Sequence, residues 1–258
     1  MTSPTTTRRL AGRTAIVTGS TRGIGAATAR ALAAEGAHVV VSGRNAARGE
    51  GVVGEIADAG GRAVFVAADL GGPYDAVRAF AASAADALGG RVDVLVNNAG
   101  VYPATLTPDL PDTDLDAMLA TNVRSPHVLV GAIAPAMAGR GSGVVVTVGS
   151  WMARVGSPYA AMYTATKAAA EQLTRSWAAE FGPRGVRAVT VSPGATLTPG
   201  NEAARAELDR LTAATPGGRV VRPEEVAAAV VFAASDEAAM IQGTILDVDG
   251  GISATKMG

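Results

Sequence analysis

Short runs of apolar, mostly β-branched residues recur along this chain, separated by longer stretches rich in alanine and charged residues. The runs fall at residues 14–17, 38–41, 63–66, 92–96, 144–148, 186–191 and 245–248. Most are apolar at every position rather than at every second one, the mark of strands whose sheet is covered on both faces. The intervening segments 26–35, 46–59, 74–88, 114–137, 159–181 and 223–233 have helical length and composition. Strand and helix alternate throughout, which predicts right-handed βαβ units. The expected fold class is α/β: a Rossmann-like doubly wound parallel sheet of about seven strands with helices on both faces. Pro135 falls inside the fourth helical segment and predicts a kink or an early end there.

No long linker, repeat or low-complexity tract interrupts the pattern, so residues 10–258 are expected to form one domain behind a flexible tail at residues 1–9. Residues 201–211 read as a short helical insertion between the sixth strand and the last helix. Bounded by Pro199, Gly200, Pro216 and Gly217, the segment 195–216 is expected to form a substrate lid, plain surface decoration being the alternative.

Composition then removes whole classes of function. Hydrophobic residues make up 48% of the chain, ample for a core, while a net charge of -1 and scattered basic positions exclude a nucleic-acid partner. The chain has no cysteine, so disulfides, thiolate metal ligands and a cysteine nucleophile are ruled out. His38 and His127 have no companion ligand motif, and neither a metal site nor a Ser/His/Asp triad is expected. The longest nearly apolar stretch, 128–139, contains Pro135 and falls short of the ~20 residues that cross a bilayer. No membrane partner is expected, and the cytoplasm is the expected location.

Candidate chemistry lies at the ends of the strands. The first runs into Thr18-Gly19-Ser20-Thr21-Arg22-Gly23-Ile24-Gly25 and then a helix, placing glycines where backbone must turn tightly and approach a diphosphate. In dinucleotide folds a carboxylate after the second strand accepts the ribose 2′-hydroxyl of NAD, whereas NADP calls for positive charge. Here that strand ends in Ser42-Gly43-Arg44-Asn45, with no acid. Arg44 and Arg22 suit a 2′-phosphate, so NADP(H) is expected in preference to NAD(H), against the alternative of two solvated arginines. Asp69-Leu70 follows the third strand, where the carboxylate could accept from an adenine amino group or cap a helix. Asn97-Asn98-Ala99-Gly100 ends the fourth strand with small residues and amides suited to close cofactor approach, or to a turn. Ser150 ends the fifth strand, and Tyr163 and Lys167 stand one helical turn apart on one helix face. An ammonium beside a phenol is expected to lower its pKa from about 10, making it a proton donor or acceptor near neutral pH.

Taken together, residues 10–253 resemble the short-chain dehydrogenase/reductase superfamily, in particular members with a TGxxxGIG cofactor loop and a YxxxK active site. The matching segments are 18–25, 97–100, Asn122, Ser150, Tyr163 with Lys167, Pro193-Gly194 with Thr198, and Pro223-Glu224-Glu225 through Asp249-Gly250-Gly251. The chain is most similar to 3-oxoacyl carrier-protein reductases and ketoreductases built like them. The resemblance implies that Ser150 hydrogen-bonds the substrate oxygen, that Tyr163 exchanges a proton with it, and that Lys167 both tunes Tyr163 and binds the nicotinamide ribose. It also implies that Asn122 holds a water near Lys167, that Thr198 bonds the nicotinamide carboxamide, and that the protein is a homotetramer. Trp151, Met152, Arg154 and Tyr102-Pro103 should line the substrate side, with Arg154 expected to be a solvated arginine without a role. The substrate is then a small carbonyl or secondary alcohol. Alternatives left open are an NAD-linked alcohol, sugar or steroid dehydrogenase, and a non-catalytic NADP-binding sensor or scaffold.

Overall fold

The computed structural model describes residues 8–254. Its strands β1 (Thr14–Val17), β2 (His38–Gly43), β3 (Arg62–Ala67), β4 (Val94–Asn97), β5 (Gly143–Val148), β6 (Val186–Pro193) and β7 (Ile245–Val248) form one sheet in the order β3-β2-β1-β4-β5-β6-β7. Every neighbouring pair is parallel, as the alternation of strand and helix predicts. The chain reverses its direction of winding between β1 and β4, and a crevice opens at such a point beyond the carboxyl ends of the strands.

Successive strand residues point to opposite faces, which explains why the runs are apolar throughout. Val17, Val41 and Val96 pack against Leu32, Ile56 and Val230, which lie on α1 (Gly23–Ala34), α2 (Ala46–Asp58) and the helix Pro223–Ala234. Ile16, Val40 and Leu95 face the other way, toward Phe80, Leu129 and Trp177. Those three lie on α3 (Tyr74–Ala87) and on the helices Ser125–Arg140 and Ala161–Phe181. Each fully buried side chain of this size contributes about 1.5–3 kcal/mol, so the two cores, one per face, dominate the stability of the fold.

The fourth helical segment departs from expectation. It begins as α4 (Asp112–Met118), widens into a π turn at Leu119–Arg124, and continues as α5 (Ser125–Arg140). The helix passes through Pro135 and stops only at Gly141, which takes the left-handed conformation. Pro135 and Gly131, whose carbonyl the proline leaves without its helical donor, are both exposed, so water can serve that carbonyl. Ile133, Ala134 and Met137 are buried and hold the helix from the other side. The wide turn is fastened at its end: Arg124 donates to Gly71 O at 3.1 Å and to Gly72 O, and lies 4.9 Å from the centre of the Tyr74 ring. Ser125 Oγ donates to Leu70 O.

Helix α6 (Ala161–Phe181) follows β5, and the insertion contains α7 (Arg205–Ala213) ahead of α8 (Pro223–Ala234). Most of the tail expected at 1–9 falls on residues that are not described. Residues 1–7 lie outside the described residues, but Arg9 donates its N–H to Glu35 Oε2 at 3.0 Å and its guanidinium to Oε1 at 2.6 Å. No described helix is long and apolar enough to cross a membrane.

The turn into β6 tolerates only glycine. Gly185 has φ 80°, and a Cβ there would be driven into the Gly141 carbonyl. Gly185→Ala is expected to destabilise the fold by about 2 kcal/mol or more, read as a fall in thermal midpoint.

Candidate active site

The glycine loop is anchored at the point where β1 and β4 part. Thr18 Oγ1 accepts the N–H groups of Asn98 (2.9 Å) and Ala99 (3.0 Å) and donates to Val96 O at 3.2 Å. Asn98 Nδ2 returns bonds to Thr18 O at 2.8 Å and Gly19 O at 3.1 Å. Gly19 and Gly23 have φ 62° and 54°, and a Cβ on Gly25 would collide with Gly19 O and Asn98 Nδ2. The loop therefore needs hydrogen in place of side chains, and it delivers the chain into the N-terminus of α1 beside a cavity of about 400 Å³.

Gly19, Thr21, Arg22, Gly23, Ile24 and Gly25 line this cavity, as do Arg44, Asp69 and Leu70 on the β2–β3 side and Asn98, Ala99 and Gly100 after β4. Thr198 reaches it from beyond β6. The start of α1 and two arginines make this wall electropositive, and the cavity is of cofactor size. Asp69 Oδ1 accepts from Gly71 N at 3.1 Å, so this carboxylate also shapes its own loop. Ser20, Pro193 and Gly194, expected at the cofactor, do not line this cavity. Ser20 is buried, donates its hydroxyl to Val17 O at 2.7 Å and accepts Ser42 N–H at 2.8 Å, so it braces the loop from behind. Pro193 and Gly194 are buried against β7, where Gly194 N–H donates to Val248 O at 3.0 Å. Gly43, Thr121 and Gly200 line the cavity without having been singled out in the sequence. Gly43 carried a signal: it directly precedes Arg44, and a Cβ there would lie 2.8 Å from Thr21 Cγ2.

The acid/base candidates stand just behind this wall. A Cβ on Gly100 would lie 3.4 Å from Asn122 Oδ1 and 3.7 Å from Lys167 Nζ. Asn122, in the π turn, accepts Val101 N–H at 2.9 Å and donates to Val101 O (3.0 Å) and Thr166 Oγ1 (3.1 Å). Its side chain is thus taken up in clamping the loop after β4 to α6. Ser150 caps the 3₁₀ turn Trp151–Arg154, its Oγ accepting Met152 N–H at 3.2 Å. Lys167 Nζ donates to Val148 O at 2.8 Å and lies 5.8 Å from the centre of the Tyr163 ring, over which Tyr102 is tilted at 4.4 Å between centroids. Tyr102 is 51% exposed and forms the outer face of this group.

The expected lowering of the Tyr163 pKa does not occur in this arrangement. Burial pushes the phenol up to about 12, and the Ser150 hydrogen bond recovers only part of that rise. Burial likewise brings Lys167 down to about 8, against the pull of Glu171. Desolvation, which disfavours each charged form, is the largest cause of both shifts.

Residues 19–253 match the family model described as enoyl-(acyl carrier protein) reductase. A solved structure of a short chain dehydrogenase/reductase family protein is 46% identical, with 96% of this chain and 100% of that one covered and a TM-score of 0.88. Among curated proteins, a short chain dehydrogenase of Pseudocercospora fijiensis is 38% identical over 190 residues, spanning 72% of this chain and 60% of that protein's length. The chain belongs to the short-chain dehydrogenase/reductase superfamily. Its enzyme class is that of dehydrogenases and reductases acting on CH–OH groups with NAD(P). A further structure of this superfamily, gluconate 5-dehydrogenase of Burkholderia cenocepacia in complex with NADP and tartrate, is 32% identical over 97% of this chain and 98% of that one, with a TM-score of 0.90.

Arg154 of this dehydrogenase/reductase is exposed and also paired: it donates to both oxygens of Asp247, at 2.9 Å to Oδ2, and to Ser192 Oγ at 3.1 Å. Its Nε lies 3.9 Å from Glu171 Oε1. Sequence reasoning passed over Glu171 because a carboxylate on a helix usually marks a solvated face. Its spacing of one turn beyond Lys167 was the available signal. As for Ser20, a bracing role predicts that Ser20→Ala, which strands buried polar backbone at Ser42, lowers stability by about 1–3 kcal/mol in thermal or urea unfolding.

Proposed function

We propose that the protein is an NADP(H)-dependent oxidoreductase that interconverts a small carbonyl compound and a secondary alcohol, with Tyr163 as general acid/base. The observation that carries this reading is the meeting at Gly100 of the glycine-loop cavity and the Lys167–Tyr163–Ser150 group. The cradle suits a dinucleotide, because Gly19, Gly23 and Gly25 keep the loop at the start of α1 free of side chains and the adjoining charges are Arg22 and Arg44. The Burkholderia structure with NADP supports the same cofactor. Bound there, the nicotinamide supplies hydride chemistry.

The chain's own residues handle the proton. Tyr163 gives its phenolic proton to the substrate oxygen in reduction and removes one in oxidation, a contribution worth about 10²–10⁴-fold. A phenol held at about 12 carries its proton at neutral pH, the form that donates in reduction. The Ser150 hydroxyl donates to the same oxygen. Lys167, as an ammonium, stabilises the phenolate that reduction leaves and binds the ribose hydroxyls, while Asn122 fixes the loop after β4 against α6. Tyr102, Trp151 and Met152 supply apolar surface for a hydrophobic or aromatic carbonyl.

The chain acts as one domain with residues 195–216 as its lid. A Cβ on Gly200 would lie 3.7 Å from Arg22 Cζ, so lid and cofactor loop already approach each other. The exposed small residues Gly131, Ala132, Pro135, Ala136 and Ala165 leave α5 and α6 free to pack on other copies in a homotetramer.

A panel of ketones, β-keto thioesters, quinones and secondary alcohols with both cofactors, followed at the nicotinamide absorbance, tests the reaction class. Tyr163→Phe is expected to lose about 10²–10⁴-fold in turnover while still binding NADPH; undiminished turnover removes Tyr163 as the acid. Arg44→Ala is expected to weaken NADPH by about tenfold and leave NADH nearly unchanged in fluorescence titration. Tighter binding of NADH than NADPH by the unmodified protein rejects the NADP assignment.

A further inference from the structure

Glu171 lies on α6 one turn beyond Lys167, as Lys167 lies one turn beyond Tyr163, so the three share one side of the helix. Lys167 is 7% exposed and Glu171 3%. Lys167 bonds the Val148 carbonyl, and the next residue, Gly149, backs onto the carboxylate: a Cβ there would lie 3.6 Å from Glu171 Oε1. The two charged groups therefore flank the Val148–Gly149 peptide, immediately before Ser150. Glu171 Oε1 is buried and accepts no hydrogen bond, and Arg154 Nε stands 3.9 Å from it. As packing, this is a poor use of a carboxylate, since an apolar residue of similar volume fills such a site without the desolvation cost.

We propose that Glu171 is a positioning residue for the reaction, an internal counter-charge that keeps Lys167 an ammonium inside the site, with Arg154, held in place by Asp247, as the cation that keeps Glu171 ionised. The inference deepens the functional reading above and rests on it for the part Lys167 plays in turnover. The groups around the pair are Tyr163 and Arg175 on α6, Arg154 on the 3₁₀ turn, Asp247 on β7, Asp249 beyond it, and Tyr102 against Tyr163. Burial raises Glu171, Arg154 is foremost among the cations that oppose the rise, and the Glu171 charge in turn resists the lowering of Lys167 to about 8. The sign follows: Lys167 is charged below its pKa, so removing the anion makes it lose its proton at lower pH.

The chain makes this measurable, because Lys167 and Lys256 are its only two lysines and Lys256 lies outside the described residues. Lysine labelled with ¹³C at Cε gives two signals in the full-length protein, and Lys167→Arg assigns them. Glu171→Gln is expected to lower the Lys167 titration midpoint by about one pH unit, and Glu171→Leu, which removes the same charge with an apolar side chain suited to a buried site, to move it in the same direction. The alkaline limb of carbonyl reduction, set near pH 8 by Lys167, moves down with it. A midpoint unmoved in the folded variants overturns the inference, and if Glu171→Gln fails to fold, Glu171→Leu decides alone. Should the midpoint move in a protein that reduces no carbonyl and oxidises no alcohol, the functional reading falls and the counter-charge stands. With turnover present and the midpoint fixed, the reverse holds.

Discussion

Everything in this molecule hangs from the knot that Thr18 and Asn98 tie between β1 and β4. A parallel sheet that reverses its winding leaves two adjacent strand ends without a connecting helix above them, and the crevice there is only as well defined as those ends are fixed. Thr18 Oγ1 holds two backbone N–H groups of the chain leaving β4, and Asn98 holds two carbonyls of the chain leaving β1. Cofactor cradle and acid/base group thereby acquire one common frame, since Asn98 and Ala99 belong to the first and Gly100 touches the second. Ser20, buried behind the loop, carries the same frame across to β2.

The sheet and its covering helices were legible because their signal is collective. Seven apolar runs cannot alternate with amphipathic segments in many ways, and misjudging an end by two residues changes nothing in the topology. Tyr163 and Lys167 were legible for another reason, the spacing of a helix, and Asn122 through the family resemblance alone. Side-chain direction was not. Nothing in Gly-Ser-Thr indicates that Ser20 turns inward while Thr21 faces the cavity, because that depends on which carbonyl of β1 is within reach. The partner of Arg154 was hidden in the same way: Asp247 is ninety-three residues distant in sequence and adjacent only once β7 has joined β6. Pro135 shows the opposite failure, a strong local rule overridden by burial on one side and water on the other.

Electrostatics inside the site follow from depth more than from pairing. Placing a phenol and an ammonium on one helix face suggests mutual stabilisation of the charged forms, yet both shift toward neutrality when the helix face is buried. A site built this way waits in its uncharged tyrosine form and gains from any fixed charge nearby. That makes the residues behind Tyr163 and Lys167, which touch neither cofactor nor substrate, as much a part of the chemistry as those in front.

The π turn at Leu119–Arg124 sets the phase of the longest helical stretch in the chain. Asn122 must face Val101, Arg124 and Ser125 must face the carbonyls of the loop after β3, and the apolar stripe of α5 must still face the sheet. An ordinary helix advances about 100° per residue and cannot satisfy all three from one continuous register. The additional residue absorbs the difference. A deletion here would leave the helix intact but turn every following side chain by that angle, so length, rather than composition, is what this stretch is least free to change.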